Sequence, residues 1–187
     1  MIKRLIATLF LMLAPAQALA GDATGPVHVS AGTIVDLGVL KSKYADPRRV
    51  VVWLPPGYSR QGPKYAVLYM HDGQNLFDKA TAGYGMEWEI DEHLSKLIAD
   101  KKVRPMIVVG IWNTPKRLQE YVPSKAFRGL PAGYRDKVRA LYGGDPLSDG
   151  YLKFIAQPLT KRSTSLMSIG ATSGPAGFSF SGSGKLP

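Results

Sequence analysis

The sequence contains no cysteine among its 187 residues. Disulfide bridges, thiolate metal sites and a cysteine nucleophile are therefore excluded. Acidic residues are also absent from one part of the chain, because all fourteen lie at or before Asp149. Half of the positions from 158 to 187 are Ser, Thr or Gly. Such a segment buries little apolar surface to offset its ordering entropy, so we interpret 158–187 as an atypical Ser/Gly-rich tail, either disordered or read in a shifted frame.

No apolar run reaches the roughly 20 residues that a membrane-spanning helix needs. The run at residues 5–13 follows a basic start and precedes the small-x-small sequence Ala-Leu-Ala at 18–20. This pattern is typical of a cleavable signal peptide, which we assign to residues 1–20, with Gly21 as the first mature residue. We therefore expect a periplasmic or secreted protein without a stable membrane anchor.

The net charge of +10 raises the question of nucleic-acid binding. The basic residues are scattered, and the two loose clusters at 41–49 and 101–104 contain few aromatic side chains. A single-strand binding groove combines basic and aromatic residues, so this pattern favours a solvated surface and no nucleic-acid partner.

Short apolar runs alternate with helical patterns along the chain. Residues 27–29, 33–35 and 49–54 are rich in β-formers, and nearly continuous apolar runs occupy 65–70 and 106–111, which suits strands buried on both faces of a sheet. Between the last two runs an apolar stripe at helical spacing comprises Ile90, Leu94, Leu97 and Ile98. The pattern predicts an α/β fold whose sheet is mostly parallel and begins with an antiparallel strand pair.

Four carboxylates surround the start of the predicted helix after residue 86: Glu87, Glu89, Asp91 and Glu92. Acids in a first turn interact favourably with the helix dipole, so we interpret them as helix-start residues. Weaker helical patterns occur at 132–141 and 149–157, the second followed by Pro158.

A polar, glycine-bearing turn follows the strand at 65–70, where residues 71–78 read HDGQNLFD. Open α/β sheets bind ligands at the carboxyl ends of their strands. Gly73 permits a close backbone approach, and the amide of Gln74 is a candidate oxyanion donor. On local sequence alone, a plain loop is an equally good interpretation.

The segments VVWLPPGY at 51–58 and YAVLYMHDGQNLFD at 65–78 resemble the putative-esterase family, which includes enterochelin-esterase-like and esterase-D-like α/β-hydrolases. Trp88 with the following helix, the strand at 108–111 and the R-x-x-E-Y-x-P sequence beginning at Arg117 extend the resemblance in order. It covers residues 45–157 and implies a partial α/β-hydrolase fold at 21–157, truncated before the nucleophile elbow. The resemblance places these residues in or beside a cleft: His71, Asp72, Trp88, Arg117, Glu120 and Tyr121.

The family implies a serine hydrolase with a Ser-Asp/Glu-His triad acting on small-molecule esters. Its serine lies in a Gly-x-Ser-x-Gly elbow between a strand and a helix. No such sequence occurs here; the nearest, GFSFS at 177–181, ends in serine. We therefore name no catalytic residue and expect the chain as given to lack esterase activity. The alternative is a non-catalytic exported binding protein built on half of the fold.

The three histidines, His28, His71 and His93, do not replace the triad, and we predict that none is the catalytic base. A metal site at His71, Asp72 and Asp78 is disfavoured because adjacent residues seldom converge on one ion. We expect no metal and no other cofactor.

The sequence leaves the roles of two groups of residues undecided. Arg117, Glu120 and Tyr121 are interpreted as a structural ion pair and an anchor beside the cleft, with substrate contact as the alternative. The aromatic residues Tyr84, Trp88 and Trp112 either line a pocket or pack in the core.

Overall fold

The computed structural model describes residues 25–62 and 64–159. The predicted signal peptide at 1–20 and all but the first two residues of the predicted tail at 158–187 lie outside the described residues. Leu159 belongs to the expected tail and is nevertheless fully buried in the core.

Four strands form one mixed sheet in the order β1-β2-β4-β3. The strands are β1 (Thr33–Leu40), β2 (Arg48–Leu54), β3 (Ala66–His71) and β4 (Met106–Ile111). Strand β2 runs antiparallel to both β1 and β4, and β3 runs parallel to β4. The α/β class and the initial antiparallel pair are confirmed. The described sheet has one parallel pairing, so its parallel part is smaller than the sequence predicts.

The two inner strands, β2 and β4, are buried on both faces, as their apolar runs predict. On β2, Val50 and Val52 face one cluster, and Val51 and Trp53 face the other. This division follows from the alternation of side chains along a strand. Strand β4 also divides its side chains between the two clusters, and Val108 belongs to the second one.

Five helices occur within the described residues: α1 (Ile90–Ala99), α2 (Arg117–Tyr121), α3 (Ser124–Arg128), α4 (Ala132–Tyr142) and α5 (Ser148–Phe154). Helix α1 covers one face through Ile90, Leu94 and Ile98. Helix α5 covers the other through Tyr151 and Phe154, and a π-helical turn (Ile155–Leu159) extends it. The helix expected at 149–157 therefore continues past Pro158 as a wider turn.

Two expectations about strands were wrong in detail, and two short helices were not expected. Residues 27–29 form no strand, and within them the His28 amide and ring bond to the Asp78 carboxylate instead. Strand β3 is only half-buried along its length, because it lies at the edge of the described sheet. Helices α2 and α3 were not predicted, since five residues are too few to show a helical period.

Within residues 25–62 and 64–159, none of the helices combines the length and the apolarity needed to cross a bilayer.

Candidate functional site

The loop after β3 begins with Asp72 in a left-handed backbone conformation, at φ 54° and ψ 44°. A non-glycine residue in this region costs on the order of 1–3 kcal/mol and persists where its surroundings hold it in place. The Asp72 carboxylate is held by four hydrogen bonds. Its Oδ1 accepts from Asn113 Nδ2 at 2.7 Å, Arg117 Nε at 2.7 Å and the Tyr121 hydroxyl at 3.2 Å. Its Oδ2 accepts from Arg117 Nη2 at 2.7 Å.

The charge of Asp72 is fixed by this arrangement. Burial raises the pKa of Asp72, but the hydrogen bonds from Arg117 and Asn113 outweigh burial and hold the pKa below its ordinary value. Burial and the nearby Asp72 charge raise the pKa of Tyr121, which stays a donor at neutral pH. Arg117 therefore neutralises a carboxylate that would otherwise oppose an anion bound at this loop.

Gly73 lies against the end of β4. A Cβ atom at this position would be 2.7 Å from the carbonyl carbon of Gly110 and the nitrogen of Ile111, and 2.8 Å from Trp112 Cδ1. Real Cβ atoms do not approach backbone this closely, so only glycine fits. The close approach that we expected between Gly73 and a ligand is, in the structure, an approach to the chain's own strand.

Gln74 is buried, and its side chain and carbonyl group are both engaged. Its Oε1 accepts from the Asn113 amide at 3.3 Å, and its carbonyl oxygen accepts from Thr81 Oγ1 at 2.8 Å. Among the described residues, the amides of Gly73 and Gln74 have no hydrogen-bond acceptor. The loop thus holds these two amides in a short 3-10 turn directly after β3.

His71 lies at the end of β3, beside the loop. Its Nδ1 is 2.7 Å from the Tyr151 hydroxyl, and its ring packs against Tyr121 and Tyr151. Burial lowers the pKa of His71, so the ring is neutral at neutral pH. These contacts fit the structural role that the resemblance implies for His71.

Glu120 and Arg48 form a buried ion pair beneath this aromatic group. Two guanidinium nitrogens of Arg48 donate to the two oxygens of Glu120, at 2.9 and 2.5 Å, with side-chain exposures of 1% and 2%. The guanidinium also lies over the rings of Tyr151 and Phe154. Thr114 adds a hydrogen bond to the carboxylate.

The R-x-x-E-Y sequence therefore forms two separate ion pairs. Arg117 pairs with Asp72, and Glu120 pairs with Arg48. Arg117 and Glu120 are thus both ion-paired, each with a different partner, and Arg48 gave no signal in the sequence. Partner choice across 72 residues depends on tertiary packing, which local spacing does not encode.

The three aromatic candidates do not act as one group. Trp112 is buried under the guanidinium of Arg49, as expected of a core residue. Trp88 is 45% exposed, and its amide donates to the Asn75 carbonyl. The prediction for Tyr84 falls on a side chain outside the described part of the structure.

The other candidate histidines, His28 and His93, have different partners. Asp78 bonds to His28 at 3.0 Å, and His93 lies near Glu89. Within the described part of the chain, no three His, Asp or Glu side chains come together in a way that would hold a metal ion.

A protein-family model described as "Putative esterase" matches residues 42–186. The chain therefore belongs to this esterase family. The match extends past residue 157, where the resemblance drawn from the motifs ends. A search of curated proteins found no match.

Solved structures provide more distant likenesses. An IroE-like serine hydrolase from Shewanella oneidensis is 24% identical over 72% of this chain and 38% of that one, with a TM-score of 0.49. The BES protein from Bacillus cereus is 15% identical over 76% and 52%, with a TM-score of 0.48. The enterobactin esterase FES from Shigella flexneri is 15% identical over 64% and 29%, with a TM-score of 0.37. The chain thus spans about half or less of the length of these proteins, and the family assignment rests on the match to residues 42–186.

Proposed function

We propose that this chain is of serine-type carboxylic ester hydrolase lineage and that its Asp72–Gln74 loop is the oxyanion side of the site. The observation that carries the proposal is the pair of amides at Gly73 and Gln74, which have no acceptor among the described residues and follow a carboxylate neutralised by Arg117. Donors fixed before the reaction stabilise the developing oxyanion without reorganisation. The substrate is a small-molecule ester.

We further propose that the 187 residues, tested alone, do not hydrolyse esters. The acyl-enzyme route needs a serine activated by a histidine, and this sequence has no Gly-x-Ser-x-Gly elbow. Loss of one triad member costs several orders of magnitude in rate.

The purified chain is expected to release p-nitrophenol from p-nitrophenyl acetate and butyrate at the background rate. A fluorophosphonate probe is expected to leave no serine labelled, because no serine is activated. The Ser179→Ala variant should behave identically, since GFSFS at 177–181 lacks the final glycine of the elbow.

The informative contrary result is saturable hydrolysis with probe adducts at Ser179 and loss of both in Ser179→Ala. That outcome would make GFSFS a working elbow and refute the proposed inactivity, while supporting the esterase lineage. Hydrolysis that is insensitive to the probe would refute the serine mechanism itself.

Export to the periplasm or medium is also part of the proposal, supported by the basic start, the apolar run and the Ala-Leu-Ala site at 18–20. Expression in a Gram-negative host, with terminal sequencing of the periplasmic fraction, is expected to give Gly21 as the first residue. Recovery of the protein with Met1 retained would count against cleavage.

A further inference from the structure

The segment before β1, residues 25–31, is attached to the body of the protein by acidic side chains. Asp91 Oδ2 accepts hydrogen bonds from the Ser30 amide at 2.8 Å, the Ser30 hydroxyl at 3.0 Å and the Ala31 amide at 3.3 Å. Glu92 Oε1 lies 2.7 Å from the same Ser30 hydroxyl. Asp91 is completely buried. We call residues 25–31 the entry segment.

When Asp91 and Glu92 are both ionised, their oxygen atoms have one hydrogen-bond donor fewer than their close contacts require. The Ser30 hydroxyl has a single proton, yet its oxygen lies within hydrogen-bond distance of two carboxylate oxygens. Asp91 Oδ1 and Glu92 Oε2 are also shielded from solvent, with no donor among the described residues when both acids are ionised. Two adjacent ionised carboxylates in such a place repel each other and leave these oxygens unsatisfied. One additional proton between the two carboxyl groups removes both problems.

We propose that Asp91 and Glu92 share one proton, and that this pair is a pH-sensitive switch holding the entry segment against α1. We place the proton on Asp91, the more deeply buried of the two acids. Loss of this proton places a second charge in the buried position and favours release of Ser30 and Ala31. The inference is independent of the esterase proposal.

The electrostatic surroundings favour a proton on Asp91 and a negative charge on Glu92. Burial and the interaction with Glu92 raise the pKa of Asp91, and they outweigh the hydrogen bonds from Ser30 and Ala31, which lower it. Burial opposes ionisation of Glu92 too, but Ser30 and Asp91 lower its pKa below the ordinary value. Among the described residues, Glu87 disfavours a second negative charge on the pair, and His93 favours ionised Glu92.

The sign of the pH dependence follows from the raised pKa of Asp91. Attachment of the entry segment is strongest while the attached pair holds one proton, and it weakens as the pH falls through the lowered pKa of Glu92. It also weakens as the pH rises above 4.5, the ordinary value for Glu, through the raised pKa of Asp91 in the folded protein. Because opening releases one proton, the open fraction grows by at most about tenfold per pH unit across this window.

Amide hydrogen exchange of the full chain tests this directly at Ser30 and Ala31, the two amides that donate to Asp91. Their protection factors, already corrected for intrinsic exchange, are expected to fall by up to about tenfold per unit of rising pH. In Asp91→Asn the side-chain amide stands in for the carboxylic acid, and the protection factors should be flat with pH. Glu92→Gln supplies a donor from the other side and should also be flat, which keeps the test usable if one variant fails to fold.

Glu89→Gln is the matched control, because Glu89 is an exposed acid beside the same helix start, and it should keep the wild-type slope. Flat protection in the wild type would overturn the shared proton. Protection that rises on adding calcium or potassium at a fixed neutral pH would overturn it as well, since a cation would then occupy the place assigned to the proton.

Discussion

Glu120→Ala is expected to lower the free energy of unfolding by about 3–5 kcal/mol, the range found when one partner of a buried ion pair is removed. Arg48 would remain almost completely buried, with its charge uncompensated. Its guanidinium cannot turn outward without disturbing the rings of Tyr151 and Phe154 that pack against it. Urea denaturation followed by circular dichroism measures the change.

Asp149→Ala is the matched control, because it breaks an exposed pair with Arg128 that is worth no more than about 1 kcal/mol. The double variant Arg48→Met/Glu120→Leu should recover most of the loss, since it removes both charges together. A Glu120→Ala protein as stable as the Asp149→Ala protein would show that Arg48 reaches water in solution.

Gly73→Ala is expected to destabilise the protein by about 1–3 kcal/mol or more, as overpacking a core does. The added Cβ would overlap the backbone of Gly110 and Ile111, which cannot move without breaking the pairing of β4 with β2. Thermal and urea unfolding measure the effect. The same displacement would move the Gln74 amide away from the position proposed for an oxyanion donor.

Gly133→Ala tests whether the effect is specific to this contact. Gly133 lies in helix α4, and a Cβ added there would enter open space, so alanine should stabilise the protein by about 0.5–1 kcal/mol through helix propensity. If Gly73→Ala were equally well tolerated, the packing of the loop against β4 would be looser than the structure shows.

The parts of the fold that could be predicted are those with a strong local period. Strand β2, strand β4 and helix α1 each bury a face that is legible in twelve residues or fewer. The structure confirms both strands within one residue and confirms α1 over its apolar stripe, but α1 begins at Ile90, so Glu87 lies before it. The half-buried state of β3 could not be predicted, because its apolar run is the same whether a strand lies at the centre or the edge of a sheet. Edge position is a property of topology and not of the strand's own residues.

In the candidate site, too, some features could be predicted from the sequence and others could not. The turn at 71–78 was found from its position after a strand, and the resemblance singled out Arg117 and Glu120. Their partners, Asp72 and Arg48, belong to other elements, and R-x-x-E spacing on a helix suggests instead that the two residues pair with each other.

Asp91 illustrates the limit most clearly. An acid in the first turn of a helix has an adequate local explanation in the helix dipole. Its burial and its bonds to Ser30 and Ala31 arise because a segment sixty residues earlier lies over the start of α1. A satisfactory local explanation therefore concealed a tertiary role.

The strand order also constrains the sequence of folding events. Strands β1 and β2 are neighbours in the chain and can pair early, whereas the other edge of β2 must wait for β4, with Val50 opposite Ile111. Closing so long a loop is slow compared with forming a local hairpin. Until β4 arrives, an apolar strand edge is open to any other chain that offers a strand. A newly made chain is therefore most prone to self-association before β4 has been inserted beside β2.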